Sequence, residues 1–425
     1  MRADLSCGEH RRNFSFRLYR DAPFGYAAGV KRIFFAAFTI AVGIQMAFAR
    51  DFSGPWNLKA LSVAPKVNWG VRSNLVQEVF YEGEPFNGHP THVFAYVGRP
   101  EGVGPFPAVV LVHGGGGKAF YDWADHWAKR GYVSISMDTA GVGPNGRLAD
   151  GGPDQSDQAK FRNFTRAEIP DMWTYHAVAA AIRAHSLLLS LPEVDGKRTA
   201  LTGISWGGYL TCIIAGIDHR FKAAVPVYGC GFLGEDSYWK DKSLAAMNPE
   251  ARALWLDTFD PSKYLSGVSC PILFFNGTHD FAYPLDSYQK CFHLVSPRLR
   301  YLSVVMKLPH GHIWNFKEPD AFIDAMLAHE TFPRIASLHA NREHVTAKAT
   351  QSMREAKLNF STDSGPWDKR NWTTSAASID SRRIRADVPE AIAKDPNLTV
   401  LITATTPEGV RVSSEYLQPN AHSRN

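Results

Sequence analysis

Cysteine, one-sided charge, internal repeats and long uncharged runs are all scarce in this sequence. Five cysteines in 425 residues are too few for a scaffold built on disulfides. Thirty-four Gly and 26 Pro are spread along the chain beside 45% hydrophobic and 20% charged residues, which excludes collagen, coiled coil and intrinsic disorder. The net charge of +5 is concentrated at one end: residues 1–49 hold seven Arg/Lys against three Asp/Glu, leaving +1 for residues 50–425. A nucleic-acid partner would want a basic stripe on the folded part, and none is visible. The uncharged stretch between Arg32 and Arg50 is 17 residues long, short of the ~20 that a spanning helix needs.

That stretch reads instead as an address. Lys31 and Arg32 precede an apolar run that ends in the small-x-small triplet Ala47-Phe48-Ala49, the pattern of an export signal over residues 1–49 cut before Arg50. The region ahead of the run is too long and too acidic for a normal basic leader, so residues 1–29 are expected to lie upstream of a true start at Val30. A periplasmic or extracellular protein is expected, with no stable membrane insertion after cleavage. Cys7 would leave with the signal. In an oxidising compartment Cys212, Cys230, Cys270 and Cys291 could pair, yet their apolar surroundings suit buried free thiols equally well.

The rest of the chain divides by periodicity. An alternating segment, VQEVFYE, is separated from THVFAYV by Asn87-Gly88, a hairpin signal. Six near-continuous apolar runs follow, PAVVLV, YVSISM, RTALTG, KAAVPVY, PILFFN and YLSVVM, as expected of strands covered on both faces. Between them, Phe120, Trp123, Ala124, Trp127 and Ala128 mark one face of a helix. Strand and helix alternation predicts a mostly parallel central sheet with helices on both faces, over residues 50–342. From about Glu343 short strand-like segments predict a small all-β, sandwich-like module over 343–425.

Gly203-Ile204-Ser205-Trp206-Gly207 sits between the strand RTALTG and a helical segment, where a Ser on a sharp turn projects its oxygen above the sheet. A hydroxyl needs a base to take its proton and an acid to orient that base. Asp280 follows the strand PILFFN, with Asp286 as a rival inside the next helix. His310 and His312 follow the strand YLSVVM, so that Ser, Asp and His come in the chain order of one catalytic architecture. Spacing alone does not choose between the two histidines. A metal held by the His-x-His pair lacks a third ligand nearby, so neither metal nor cofactor is expected. The loop His113-Gly114-Gly115-Gly116-Gly117 can point backbone N–H groups at a developing oxyanion, through Gly114 or Gly115 together with Trp206. As a phosphate loop it fails, because Ala119 stands after Lys118 where Ser or Thr is needed.

With HGGGG, GISWGG, NGTHDFAYP and LPHGH in this order, the region from about Val76 to Glu330 resembles an α/β-hydrolase of the dienelactone-hydrolase and acetyl-xylan-esterase type. The resemblance implies Ser205 as nucleophile, Asp280 as acid, and Gly115 with Trp206 as oxyanion donors. In esterases of this fold the base often stands directly behind a small residue. His312 meets that condition, so it is the expected base, with His310 as the alternate. True dienelactone hydrolases use a Cys where this chain has Ser205. The chain also resembles the catalytic domain of prolyl oligopeptidases, although fewer than 60 residues precede its first buried strand after Arg50, leaving no room for their propeller.

Residues 231–268 are long enough to form a lid, and Trp239 within it and Trp314 after the histidines could stack on sugar rings. Trp367 and Trp372 of the module suit packing against the catalytic part better than a glycan platform. The expected function is an exported serine esterase acting on a small-molecule or polysaccharide ester, with a peptidase as one alternative. A non-catalytic carbohydrate-binding protein on the same scaffold is the other.

Overall fold

In the computed structural model, residues 53–311 and 316–419 are described. The expected export signal over residues 1–49, Cys7 within it, and His312 and Trp314 lie outside them. Nine strands form the central sheet: β1 Val67–Ser73, β2 Val76–Glu82, β3 His92–Gly98, β4 Phe106–Val112, β5 Val133–Met137, β6 Val194–Ile204, β7 Ala223–Val227, β8 Ile272–His279 and β9 Arg300–Pro309. Their order is β1-β2-β3-β5-β4-β6-β7-β8-β9. The first three and the β3/β5 pair are antiparallel, and every neighbour pair from β5 to β9 is parallel.

The hairpin expected at Asn87-Gly88 is present. Asn87 and Gly88 have φ of 50° and 78°, the left-handed pair that a tight two-residue turn requires, and Phe86 and His89 exchange two backbone hydrogen bonds across it. The six apolar runs are the six parallel strands, and β5 and β7 are buried along their whole length. Burial on both faces follows from helices α1 Tyr121–Lys129, α2 Trp173–Ser190, α3 Trp206–Ile217, α4 Pro249–Phe259, α5 Leu285–Leu294 and α6 Lys317–Leu327. In α1 the buried residues are Ala124, Trp127 and Ala128, on the predicted face, while Phe120 is the N-cap. Every residue of α3 is buried, as expected of a helix apolar all round.

Eight further strands, β10 Ile335–Ala340, β11 His344–Ala349, β12 Glu355–Ser361, β13 Thr373–Ala376, β14 Ser378–Asp380, β15 Arg383–Asp387, β16 Thr399–Thr405 and β17 Arg411–Ser413, form two antiparallel four-stranded sheets, β10-β11-β15-β14 and β13-β12-β16-β17. The expected boundary at residue 343 needs correction, because it cuts the β10/β11 hairpin, whose register runs from Ile335↔Ala349 to Ala340↔Val345. β10 is half exposed and carries no apolar run, so its sequence did not announce a strand. The module docks on β9: Ser303 Oγ donates to the Arg411 carbonyl (3.0 Å), Val304 N–H donates to Ser413 Oγ (2.9 Å), and Arg411 pairs with buried Glu318 at 2.7 Å. Trp367 and Trp372 are buried. Trp367 lies 4.6 Å from Tyr416, with the Arg370 guanidinium over its ring, so these indoles pack within the fold and offer no open platform.

Cys212, Cys230, Cys270 and Cys291 are buried free thiols, and burial pushes the Cys270 thiol up to about 12. Among the described residues no helix is long and apolar enough to cross a membrane.

Candidate active site

The parallel strands end along one edge of the sheet, where an open α/β sheet exposes its chemistry. β6 ends at Ile204, and Ser205 follows with φ 59° and ψ −121°. This is a strained conformation for a residue bearing a Cβ, over-determined here by two hydrogen bonds. The Ser205 N–H donates to the Val227 carbonyl at 2.8 Å, and its carbonyl accepts from Tyr209 N–H at 2.9 Å. The flanking glycines are steric requirements. A Cβ on Gly203 would lie 2.4 Å from the Gly207 carbonyl oxygen, so the chain turns this sharply only without one.

Strand register decides which histidine meets the serine. β8 and β9 are parallel and in register from Ile272↔Arg300 to Gly277↔Val305, after which β9 slips by two residues so that His279 pairs with Pro309. The next residue on each strand, Asp280 and His310, therefore leaves the sheet side by side. His310 Nδ1–H donates to Asp280 Oδ2 at 2.8 Å, and Ser205 Oγ–H donates to His310 Nε2 at 2.8 Å. The expectation of His312 as base is corrected accordingly: the ring between Ser205 and Asp280 belongs to His310, the alternate. Asp280 Oδ1 accepts from the N–H groups of Ala282 and Tyr283, each at 2.8 Å, so both carboxylate oxygens are held and the imidazole is locked with its proton on Nδ1. Asp286, the rival acid, is elsewhere. It sits in the first turn of α5, caps Ser287 N–H at 2.8 Å, and shares a hydrogen bond with Asp236, whose carboxyl is pushed up to about 6 by burial first and by Asp286 second.

The glycine loop leaves β4, the strand beside β6. His113 Nδ1–H donates to the Gly114 carbonyl at 2.7 Å and its Nε2 accepts from Thr139 N–H at 2.9 Å. Gly117 N–H donates to the same Gly114 carbonyl at 3.1 Å. Across a trans peptide the N–H of Gly115 points the opposite way from that carbonyl. Two donors thus pin the carbonyl and fix the Gly115 N–H on the opposite side of that peptide. A Cβ on Gly115 would lie 2.8 Å from Trp206 Cδ1, which places this peptide against the residue after Ser205.

Trp206 is walled by rings: Trp239 at 4.5 Å, Tyr209 at 4.9 Å, Trp173 at 5.6 Å and Phe161 at 5.8 Å. Trp239, expected on the substrate, is only 6% exposed and lies within this wall. The exposed rings beside the imidazole are Phe281, 48% exposed and 5.4 Å from His310, and Tyr238, 41% exposed and 5.3 Å from Phe281. Sequence reasoning did not single them out, although Phe281 directly follows Asp280. It named His113 only as part of the glycine loop and passed over Thr139, Lys160 and Gln155, whose contacts join parts distant in the chain. Among the described residues no group of three or more His, Cys, Asp or Glu could hold a metal ion.

Comparison with known proteins agrees with this architecture. The acetyl xylan esterase from Paenibacillus sp. R4 superposes with a TM-score of 0.52 at 21% identity, over 64% of this chain and 92% of that one. Acetyl xylan esterase 1 from Thermoanaerobacterium sp. JW/SL YS485 does so at 0.50 and 16%, over 66% and 98%. The chain has the α/β-hydrolase fold. A family model for acetyl xylan esterase matches residues 63–236 of this chain, and one for the prolyl oligopeptidase family matches residues 158–325. Acetyl esterase Axe7A of Xylanibacter ruminicola is 24% identical over 214 residues, 45% of this chain and 46% of that protein. An uncharacterized peptidase of Bacillus subtilis, YuxL, is 26% identical over 206 residues, 45% of this chain and 28% of its own length. The chain thus spans less than half the length of either of these relatives.

Proposed function

We propose that this chain is an exported serine hydrolase that cleaves carboxylic esters, and that acetyl groups on carbohydrate are its substrate class. The observation that carries the reading is the unbroken relay Ser205–His310–Asp280 at the sheet edge. His310 Nε2 takes the Ser205 proton as Oγ attacks the ester carbonyl, and Asp280 stabilises the imidazolium that forms. The oxyanion is met by the N–H groups of Gly115 and Trp206. His310 then returns the proton to the leaving alkoxide, releasing an alcohol and an acyl-Ser205. Water, deprotonated by the same imidazole, hydrolyses the acyl-enzyme. The match to the acetyl xylan esterase model supports the acyl and sugar class.

Ser205→Ala is the direct test. It is expected to abolish ester hydrolysis and fluorophosphonate labelling while the melting temperature stays near wild type, since only one hydroxyl is removed. A variant that keeps ester turnover within about tenfold of wild type would rule out Ser205 as nucleophile, since loss of the nucleophile leaves only the residual catalysis of the oxyanion donors and binding. The match to the prolyl oligopeptidase family supports a second reading, a peptidase, which a Pro-containing peptide substrate separates from the first.

The pair Phe281 and Tyr238 supports a ring-bearing substrate, because large apolar side chains left open beside a reactive group gain from a partner that covers them. Phe281→Ala is expected to raise KM for an acetylated xylo-oligosaccharide about fivefold more than KM for methyl acetate, the worth of one aromatic contact of ~1 kcal/mol. Equal changes on both esters would remove the sugar contact.

A further inference from the structure

A lysine is almost never fully buried without a reason, and Lys160 is 3% exposed. It closes the helical turn Asp157–Lys160, and its Nζ lies 5.0 Å from the ring centre of Trp173 and 4.9 Å from that of Trp206. Two indoles thus offer it cation–π contact. Its Nζ–H donates to the Gln155 carbonyl, and the carboxylate of Asp157 stands 3.8 Å away. From the lid segment, Trp255 Nε1–H donates to the Lys160 carbonyl at 2.9 Å, fixing the backbone as well.

What Lys160 holds leads back to the reacting centre. Gln155 Nε2–H donates to the Gly117 carbonyl at 2.8 Å, and Gly117 N–H donates to the Gly114 carbonyl, which fixes the Gly115 N–H on the other side of that peptide. One continuous set of contacts therefore runs from the ring of Trp206 through Lys160, Gln155 and Gly117 to the Gly114–Gly115 peptide. Its two ends are the residues whose N–H groups meet the oxyanion. A methionine would fill the same space without the cost of desolvating a charge, so packing alone gives no reason for an ammonium here.

We propose that Lys160 and Gln155 are positioning residues for the oxyanion hole, fixing the Gly115 peptide relative to Trp206. The inference rests on the serine-hydrolase reading above. Because oxyanion stabilisation is realised in the transition state, a loosened clamp lowers kcat and leaves KM nearly alone. The clamp is also sensitive to pH. Burial pushes the Lys160 ammonium down to about 8 against the opposing pull of Asp157 and Asp154, the charged groups that act on it, while α2 and α3 present it only the rings of Trp173 and Trp206. Raising the pH through about 8 removes the proton that the indole faces and the Gln155 carbonyl hold.

The experiment compares wild type, Lys160→Met, Gln155→Leu and the double variant on p-nitrophenyl acetate across pH 6 to 10. Each single variant is expected to lose about ten- to a hundredfold in kcat with KM within about twofold, and the double variant to fall little further, because both changes break one clamp. A folded Lys160→Met with wild-type kcat, or losses that multiply in the double variant, overturns the proposal. Should Lys160→Met fail to fold, the decision comes from proteins that keep the lysine. Wild-type kcat should decline above pH ~8 and Gln155→Leu should lack that decline, whereas identical alkaline limbs overturn the proposal. A wild type with no esterase activity would instead retire the reading on which it rests.

Discussion

His310→Ala is expected to lower kcat for ester hydrolysis by about a thousandfold or more, while His312→Ala stays within about tenfold of wild type. Removing the base of a Ser-His-Asp relay leaves only the catalysis supplied by the oxyanion donors and by binding. Two contacts place that burden on His310: 2.8 Å to Ser205 Oγ and 2.8 Å to Asp280 Oδ2, with Asp280 held further by the N–H groups of Ala282 and Tyr283. Steady-state kinetics on p-nitrophenyl acetate with the two variants and wild type, each checked for native circular dichroism, decides the matter. A severe loss in His312→Ala and a mild one in His310→Ala would transfer the role. Two mild losses would remove the relay itself.

Gly207→Ala is the second large effect, and it is a matter of folding before chemistry. A Cβ at that position would lie 2.0 Å from the Val112 carbonyl oxygen and 2.7 Å from that of His113, and neither obstacle is a side chain that can swing aside. Val112 pairs with Gly203 in the β4/β6 ladder, and His113 begins the glycine loop. Relief of the clash must therefore part α3 from the centre of the sheet or displace the glycine loop. The expected cost is about 3 kcal/mol or more, seen as a lower melting temperature or lost soluble yield, with activity in any folded fraction down by about a hundredfold or more. Gly365→Ala, whose Cβ would meet nothing within 4 Å, is the control for the substitution itself. Wild-type stability and activity in Gly207→Ala would mean that the elbow is not packed as described.

Several parts of this molecule were legible because they are local. The six strands announced themselves as apolar runs bounded by turns, the hairpin as Asn87-Gly88, and the sharp turn at Ser205 as glycines around it placed between a strand and a helix. Such signals depend on the conformation of a few adjacent residues and on which faces must leave water, and both are written in sequence order. The edges of the module were harder, since β10 is half exposed and its alternation too weak to separate a strand from a loop.

The choice between His310 and His312 was of another kind. Both follow the same strand, and only the register of β9 on β8, with His279 opposite Pro309, shows which one emerges beside Asp280. Likewise nothing near Lys160 in the sequence points to Gly115, and nothing near Tyr238 points to Phe281. Residue types, their order and the local turns were determined by the sequence alone, because hydrophobic periodicity and backbone sterics act over a few residues. Which imidazole meets Ser205 Oγ, which glycine peptide lies against Trp206, and which lysine is caged beside that ring were decided by tertiary structure. Each is a contact of ~3 to 5 Å between residues tens of positions apart, set by strand register and helix packing that no local pattern encodes.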